Sequence, residues 1–453
     1  MPPSRGRGRE PTPSLPPGSA PALAYSGAML QVIFIVVFAI GLMLSIALHE
    51  MGHLIPAKRF GVRVSEYFVG FGSTLWSTQR GETTYGIKAF PLGGYVRLVG
   101  MVPPGDVVKP VTVRGWRRDL IDDARAASEL EIGPDRERAF YRLSWWKKAV
   151  VMFGGPFVNL FLAALLFTVV FSGIGSHAST LTVRETVACV PAIGTVDCAP
   201  GDPVSPAVAA GIQPGDTFVS VDGVTVASWA DVADYVSQRP GEIVDMTVMR
   251  GDTLVDLTLT PAARQRPSTD GSGSTDTVGY MGVFSQTERV RQPLTSGLEV
   301  TGEYIAQTAT VITQLPQQLW HVSRAALGLE ERSQESVMGL VGVGRVAGEV
   351  GGNTDAGVTT LDKVAQMLLL LGGLNLALFV FNMIPLVPLD GGHIASAFWQ
   401  AIKNRWAQAR NLAHPAPVDV ARMMPLAYSV FGVLILMSLV LVVADIVAPV
   451  RLT

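Results

Sequence analysis

The chain of 453 residues is poor in charge, in cysteine and in histidine. Charged residues make up only 16% of it and hydrophobic residues 48%, whereas an average soluble domain has about 25% charged residues. This balance excludes an ordinary soluble or disordered protein, because too much apolar surface would face water. The net charge of -2 gives no general basic surface, so we expect no nucleic-acid partner. Two cysteines exclude a cysteine-rich zinc module and a disulfide-dense scaffold.

Four apolar segments are long enough to cross a hydrocarbon core about 30 Å thick, which takes about 20 helical residues. They lie at about 28–48, 149–174, 364–387 and 426–447. Ahead of them, residues 1–27 are rich in Pro, Gly and Arg, which is typical of disorder. We therefore expect a multi-pass protein of the plasma membrane whose spans contact the lipid bilayer.

The distribution of Lys and Arg predicts the orientation of these spans. The loop from Lys58 to Lys148 carries 16 of them, and the loop at 396–425 adds four more. Cytoplasmic loops carry such an excess, so both loops are predicted to be cytoplasmic. Both termini and the loop from about 175 to 362 then face outward.

The outer loop holds both cysteines of the chain, Cys189 and Cys198. An oxidising exterior would allow the two thiols to pair into a small disulfide staple. Two free thiols are the alternative.

A short motif of histidine and glutamate follows the first apolar segment. In His49-Glu50-Met51-Gly52-His53 the two histidines are four residues apart, which on a helix lets both imidazoles reach one zinc ion. Glu50 is positioned as the general base for a zinc-activated water. Only six histidines exist in the chain, so chance is a poor explanation of the pattern. The alternative is a pair of solvated histidines at a helix end.

A catalytic zinc needs a third protein ligand, and the sequence offers one after the third apolar segment. Asp390 stands in Asn382-Met383-Ile384-Pro385-Leu386-Val387-Pro388-Leu389-Asp390-Gly391-Gly392-His393, on the same predicted side of the membrane as His49. The two prolines cannot continue a helix, so the backbone must be irregular there, which membrane depth tolerates only inside protein or beside a wet cavity. We predict Asp390 as the ligand, with an N-cap as its alternative role, and His393 as a structural residue.

Together these residues resemble the site-2 protease family of intramembrane zinc metalloproteases, and in particular its bacterial regulator-of-sigma-E protease type. The resemblance extends to Pro91-Leu92-Gly93-Gly94-Tyr95-Val96, to Gly155-Pro156-Phe157-Val158-Asn159 and to a PDZ-like stretch at 205–216. It leaves out residues 106–138, which are highly charged and most simply form a solvated cytoplasmic insertion.

The resemblance implies how a substrate is held. In the family, Gly93, Gly94 and Tyr95 lie on a strand that meets the substrate, and Asn382 hydrogen-bonds the substrate backbone. Strand pairing would keep the substrate extended, which matters because a helix hides its peptide bonds in its own hydrogen bonds. The PDZ-like domain is implied to exclude substrates that still carry an outer domain. A hairpin that only packs on the bilayer and a β-rich spacer that binds nothing are the alternatives.

The expected fold is a polytopic α-helical membrane protein of about four transmembrane helices, with a small membrane-associated β-sheet and an inserted extracytoplasmic PDZ-like α+β domain. The expected segments are a disordered tail (1–27), the first span with the zinc motif (28–60), a cytoplasmic loop with the sheet (61–148), the second span (149–174), the PDZ-like domain (175–290), an outer amphipathic region (291–363), the third span with the Asp390 motif (364–395), a cytoplasmic loop (396–425), the fourth span (426–447) and a tail (448–453).

The predicted function is that of a zinc-dependent intramembrane endopeptidase with one zinc ion, held by His49, His53 and Asp390. The resemblance implies regulated intramembrane proteolysis of single-span proteins such as anti-sigma factors, after a separate protease has made a first cut outside. Two alternatives stay open. One is the prenyl-protein type of membrane zinc protease, which has a Glu third ligand. The other is a membrane scaffold that binds partners through its PDZ-like domain and has a non-catalytic zinc site.

Overall fold

The structure, a computed structural model, describes residues 19–191, 198–267, 275–333, 336–355 and 357–450. They fall into two compact units. The larger comprises the residues up to Ile174 and those from Pro293 onward, and the smaller is Gly175–Gln292. Most of the predicted disordered tail, residues 1–18, lies outside the described residues, whereas residues 19–27 belong to the first helix and not to a disordered segment.

The described residues contain helices and strands in the following chain order: α1 Ser19–Arg59, β1 Val64–Arg80, β2 Thr83–Leu98, α2 Trp116–Ile132, α3 Trp145–Thr168, β3 Ser176–Thr186, α4 Pro206–Ala209, β4 Thr217–Val221, β5 Val224–Thr225, α5 Trp229–Ser237, β6 Val244–Arg250, β7 Thr253–Leu259, β8 Ala262–Pro267, β9 Thr275–Tyr280, β10 Val283–Val290, α6 Ser296–Ala326, α7 Leu340–Gly352, α8 Thr360–Asn382, α9 Asp390–Ala409 and α10 Met424–Val447. A π-helical turn, Val169–Ile174, extends α3.

Among the described residues of the larger unit, four helices are long and apolar enough to cross a membrane. They are Gly27–Arg59, Trp145–Ile174, Thr360–Asn382 and Val420–Val447. Large apolar side chains on their outer faces are exposed, among them Ile40 on α1 and Leu436 on α10. An apolar surface of this extent is stable only when lipid or protein covers it.

Helices α1, α3 and α8 pack closely around the motif region. At the crossing of α1 and α3, a side chain at Gly52 or at Gly154 would collide with the carbonyl oxygen of the other residue, so only small residues allow this approach. Between α8 and α1, the buried Asn375 amide donates a 3.0 Å hydrogen bond to Ser45 Oγ. No role was predicted for Asn375; it joins two helices.

Buried charges hold both ends of α7, which packs against α1. At the N-terminal end, the Asp445 carboxylate accepts a 2.7 Å hydrogen bond from the Gly342 amide, and it pairs with Arg332 at 2.9 Å. At the C-terminal end, Lys363 Nζ donates to the Gly351 carbonyl oxygen at 3.0 Å. A negative charge at the start of a helix and a positive charge at its end both complement the helix dipole.

The prediction of a plain solvated insertion at 106–138 was wrong. This stretch contains α2, whose Ile121 and Ile132 are buried in apolar clusters of the larger unit. Arg125, only 9% exposed, forms an ion pair with Asp419 just ahead of α10. Apart from Arg125, the charged side chains of α2 that suggested full solvation are exposed or half-exposed.

Strands β1 and β2 form a hairpin that folds back on itself into a small sheet. Segment 64–69 pairs with 94–98 on one side and with 84–87 on the other, while 74–80 pairs with 83–88. The segments therefore lie in the order 74–80, 83–88, 64–69 and 94–98, and no strand of the described chain pairs with the outer edge of 94–98. Gly70 (φ 93°) and Gly93 (φ 116°) adopt left-handed backbone angles that favour glycine.

The smaller unit is built around an antiparallel sheet in the order β10-β3-β4-β6-β7, with β5 beside β4 and a separate β8–β9 pair. Alternate residues such as Phe218, Met246 and Leu259 point into one buried core against α5. Asp216, at 1% exposure, accepts two hydrogen bonds from the Arg250 guanidinium, which lowers the pKa of this carboxyl.

Candidate active site

The histidine motif lies on the last turns of α1, which continues through it to Arg59. His49 and His53 therefore share one face, with their Nε2 atoms 3.3 Å apart. The carbonyl oxygen of Val151 on α3 lies 2.8 Å from His53 Nδ1 and can only accept, so Nδ1 carries the proton. This leaves the lone pair of His53 Nε2 free to bind a metal ion, as in zinc sites where a carbonyl orients the histidine ligand.

Asp390 reaches the same point from the break between α8 and α9. Helix α8 ends at Asn382, ahead of the residue 395 predicted for the third span, and α9 begins at Asp390 itself. Gly391 and Gly392 pass so close to the backbone of 383–387 that a side chain at either would collide with it. The N-cap position belongs to Leu389, and the Asp390 side chain turns to the histidines instead.

The three side chains have the geometry of a zinc site. Asp390 Oδ2 lies 3.5 Å from His49 Nε2 and 3.4 Å from His53 Nε2, which completes a nearly equilateral triangle with the 3.3 Å histidine pair. A tetrahedral zinc ion with bonds of about 2.0–2.1 Å spaces its ligand atoms by about 3.4 Å. Two imidazoles and one carboxylate also leave a fourth position open, as in catalytic zinc sites. The residues present therefore fit zinc.

These ligands line a cavity of about 410 Å³. The structure brings every residue predicted for the site to this cavity, namely His49, Glu50, His53, Gly93, Gly94, Tyr95, Asn382 and Asp390. The predicted cysteine pair lies elsewhere, in the smaller unit, where Cys189 and Cys198 are joined in a disulfide with Cα atoms 5.8 Å apart.

Glu50 lies between the zinc ligands and the small sheet. Its Cγ atom is so near the backbone of Gly94 that a side chain there would approach it within 3.0 Å, and Glu50 lines the same cavity as Gly94 and Val96. The carboxylate thus faces both the cavity and the edge strand. From this position the carboxylate can exchange a proton with a water molecule that lies between the metal ligands and a peptide bound to the strand.

Tyr67 attaches the sheet to the catalytic helix, a contact that sequence reasoning missed. Its hydroxyl donates a 2.7 Å hydrogen bond to the carbonyl oxygen of Ala47, two residues before His49. Burial raises the pKa of the Tyr67 phenol to about 12, so it keeps its proton and its donor role. Tyr67 is only one of several aromatic residues in β1, and nothing in the sequence singles it out.

Gly155 and Asn159, both on α3, belong to a motif that resembles the family, but the sequence predicted no role for them at the zinc site. A side chain at Gly155 would overlap the His53 ring and approach the Cε1 atom of His49 within 2.8 Å. Asn159 lines the cavity, is 1% exposed, and its Oδ1 has no hydrogen-bond partner among the described residues. The adjacent glycines 154 and 155 in an otherwise bulky apolar helix are the signal that could have indicated a close approach.

The site combines two zinc-binding histidines and a general base on one helix with an aspartate that is distant in sequence but close in space. This combination, at the ends of apolar spans, defines the class of membrane zinc metalloproteases. Sequence comparison agrees with this class, since peptidase family M50, the site-2 proteases, matches residues 37–426. The chain therefore belongs to that family and is a multi-pass zinc metalloprotease.

Named relatives cover most of the chain. Zinc metalloprotease Rip1 of Mycobacterium tuberculosis is 34% identical over 440 residues, which is 94% of this chain and 100% of the relative. Rip1 of Mycolicibacterium smegmatis is 33% identical over 441 residues, or 93% of this chain and 99% of the relative. Metalloprotease MmpA of Caulobacter vibrioides is 27% identical over 371 residues, or 80% and 84%.

Proposed function

We propose that this zinc metalloprotease is an intramembrane endopeptidase that cuts single-span membrane proteins. The observation that carries the proposal is the cavity in which His49, His53 and Asp390 converge at the ends of apolar helices, next to a strand edge that is unpaired among the described residues. A site in this position can attack a peptide bond close to the membrane, where soluble proteases have no access.

In the proposed reaction Glu50 moves the proton. When bound, zinc supplies Lewis-acid chemistry, which acidifies water and polarises a peptide carbonyl. The Glu50 carboxylate takes the proton of the attacking water and returns it to the leaving amine, as expected of a general base beside two histidine ligands. Asn382, at the end of α8 in the cavity wall, would donate a hydrogen bond to the substrate backbone.

The edge strand would hold the substrate in an extended form. A transmembrane helix satisfies its own backbone, so its peptide bonds become accessible only after local unwinding. Within the described chain the outer edge of segment 94–98 pairs with no strand, and Gly93, Gly94 and Tyr95 at its start line the cavity. Addition of a substrate strand there replaces the lost helical hydrogen bonds and presents the scissile bond to Glu50.

We further propose the orientation and domain roles that the sequence predicts. The zinc site lies toward the cytoplasm, and the termini and the 175–290 region lie outside. Support for this region as a PDZ-like domain is its antiparallel sheet with a capping helix, α5. We infer that it excludes substrates whose outer domain is intact, so a first-cutting protease must act before this one. Anti-sigma factors are the substrate class that the resemblance suggests.

The test of this function is reconstituted cleavage of a single-span substrate in two forms, with its outer domain present or removed. We expect the purified wild-type protein in vesicles to cut the trimmed substrate at least about tenfold faster than the untrimmed substrate. The reason is that the extracytoplasmic unit would exclude a substrate that still carries its outer domain. Product mass would locate the cut within or next to the span. Equal rates on both forms would contradict the filter, and zinc binding without cleavage of any trimmed substrate would favour the scaffold alternative.

The proposed exterior location of Cys189 and Cys198 gives a second expected result. Protein purified without reductant should contain no alkylatable thiol, because the exterior is oxidising. Alkylation under denaturing conditions followed by mass spectrometry, with and without prior reduction, measures this directly. The reduced sample is the control and should take up two alkyl groups. Two free thiols in the unreduced sample would count against both the disulfide and the outward orientation.

A further inference from the structure

A second groove extends from the catalytic cavity along the outside of the edge strand. It has a volume of about 510 Å³ and lies between residues 95–98 and helix α2. Tyr95, Val96, Leu98 and Met101 line both this groove and the catalytic cavity. The two spaces therefore follow each other along the same strand, and a chain that passes the zinc ligands in extended form would continue into the groove.

Helix α2 turns one face to this groove. Ala124, Ala127, Ser128 and Glu131 line it, and their spacing of three and four residues places them on one side of the helix. Three of these side chains are small, which leaves room beside the strand. Ala127 is exposed, whereas the Ser128 hydroxyl donates a 2.7 Å hydrogen bond to the Val102 carbonyl oxygen and attaches α2 to the chain after the strand.

Two carboxylates lie near the end of the groove, that of Glu131, which lines it, and that of Glu66. Arg97 pairs with Glu66 at 3.2 Å and approaches Glu131 at 3.7 Å, so two carboxylates share one guanidinium. All three side chains are at least partly exposed, so the two carboxylates can face a further cation. The cytoplasmic flanks of membrane spans are rich in Lys and Arg, so a substrate flank has the complementary charge.

We propose that this groove binds the cytoplasmic flank of the substrate, and that α2 thereby contributes to specificity. The inference rests on the proposed function and deepens it. The groove accepts an extended stretch of small side chains next to the cut and a basic residue near Glu131 and Glu66. Helix α2 supplies none of the three zinc ligands, so this preference would be separate from the zinc chemistry.

The experiment compares two trimmed single-span substrates, one with a flank of small residues and lysines and one with that flank deleted. In wild-type protein we expect the flank to raise kcat/KM. Ala127→Leu should lower kcat/KM for the flanked substrate by about tenfold more than kcat/KM for the substrate without the flank, since added methylenes block a fitted pocket. Ala126→Leu is the matched control, because Ala126 is exposed on α2 and does not line the groove.

A charge exchange tests the same groove without changing its packing. Glu131→Lys should favour a flank with glutamates over one with lysines by about fivefold relative to wild type, the size expected for an exposed ion pair. If the wild type cleaves and both Ala127→Leu and Glu131→Lys keep the wild-type ratio of kcat/KM between the two substrates compared, the groove proposal is overturned. The proposed protease function would then still stand. Equal losses on both substrates would also overturn the groove proposal. A wild type that cuts neither substrate would instead refute the proposed function.

Discussion

Glu50→Gln is expected to leave zinc bound and to lower cleavage by about 10²–10⁴-fold, the usual contribution of a general base. The triangle of His49, His53 and Asp390 does not include Glu50, so the ligand set stays complete. Glutamine keeps the size and shape of the side chain but has no carboxylate that could take up a proton. Zinc content per protein and single-turnover cleavage of a trimmed substrate, measured on the same preparation, give the two readings.

Glu82→Gln provides the matched control for this prediction. Glu82 lies on the hairpin turn and pairs with Arg138 at 2.6 Å, away from the cavity, so the same chemical change should leave both readings near wild type. Cleavage by Glu50→Gln within about tenfold of wild type would remove Glu50 from the proton transfer. Loss of zinc in Glu50→Gln would instead mean that the carboxylate supports the ligand geometry and that the activity alone says nothing about its role.

The three zinc ligands could be predicted because a pattern in the neighbouring sequence indicates each of them. The spacing of His49 and His53 works only on a helix, and an apolar segment just before them already predicts that helix. Asp390 follows two prolines and precedes two glycines, a combination that requires irregular backbone beside a cavity. These arguments use neighbours within a dozen residues, and the structure brings the distant halves together as the chemistry requires.

What could not be predicted depends on contacts between distant segments. The double pairing of 64–69 makes 94–98 an edge strand, but hairpin patterning alone does not reveal which segment lies outside. One face of α2 is buried against residues from distant segments, such as Asp419, which pairs with Arg125 about 290 residues earlier in the chain, and a charged helix has the same composition whether such partners exist or not. Composition therefore suggested a solvated insertion where the chain builds the wall of a groove.

Gly155 makes such a contact between distant segments, and its replacement should strongly lower zinc affinity although no zinc ligand is changed. In Gly155→Ala the added methyl group would overlap the His53 ring and approach His49. Because α3 is fixed against α1 at Gly52 and Gly154, the helices cannot separate to make room, and the histidines must move instead. We expect zinc affinity to fall by about 10–100-fold, as when residues that orient metal ligands are lost, and cleavage to fall with it.

Gly373→Ala distinguishes this steric effect from a general response of a transmembrane helix to alanine. Gly373 lies on α8, and a methyl group there meets nothing within 4 Å. Since alanine is the better helix former by up to about 1 kcal/mol, this control should be neutral or slightly stabilising. Zinc titration against a competing chelator, together with thermal unfolding of both variants, measures the difference. If Gly155→Ala binds zinc as tightly as Gly373→Ala, the histidine pair is not confined by α3, and the position of the ligands must depend on α1 and Asp390 alone.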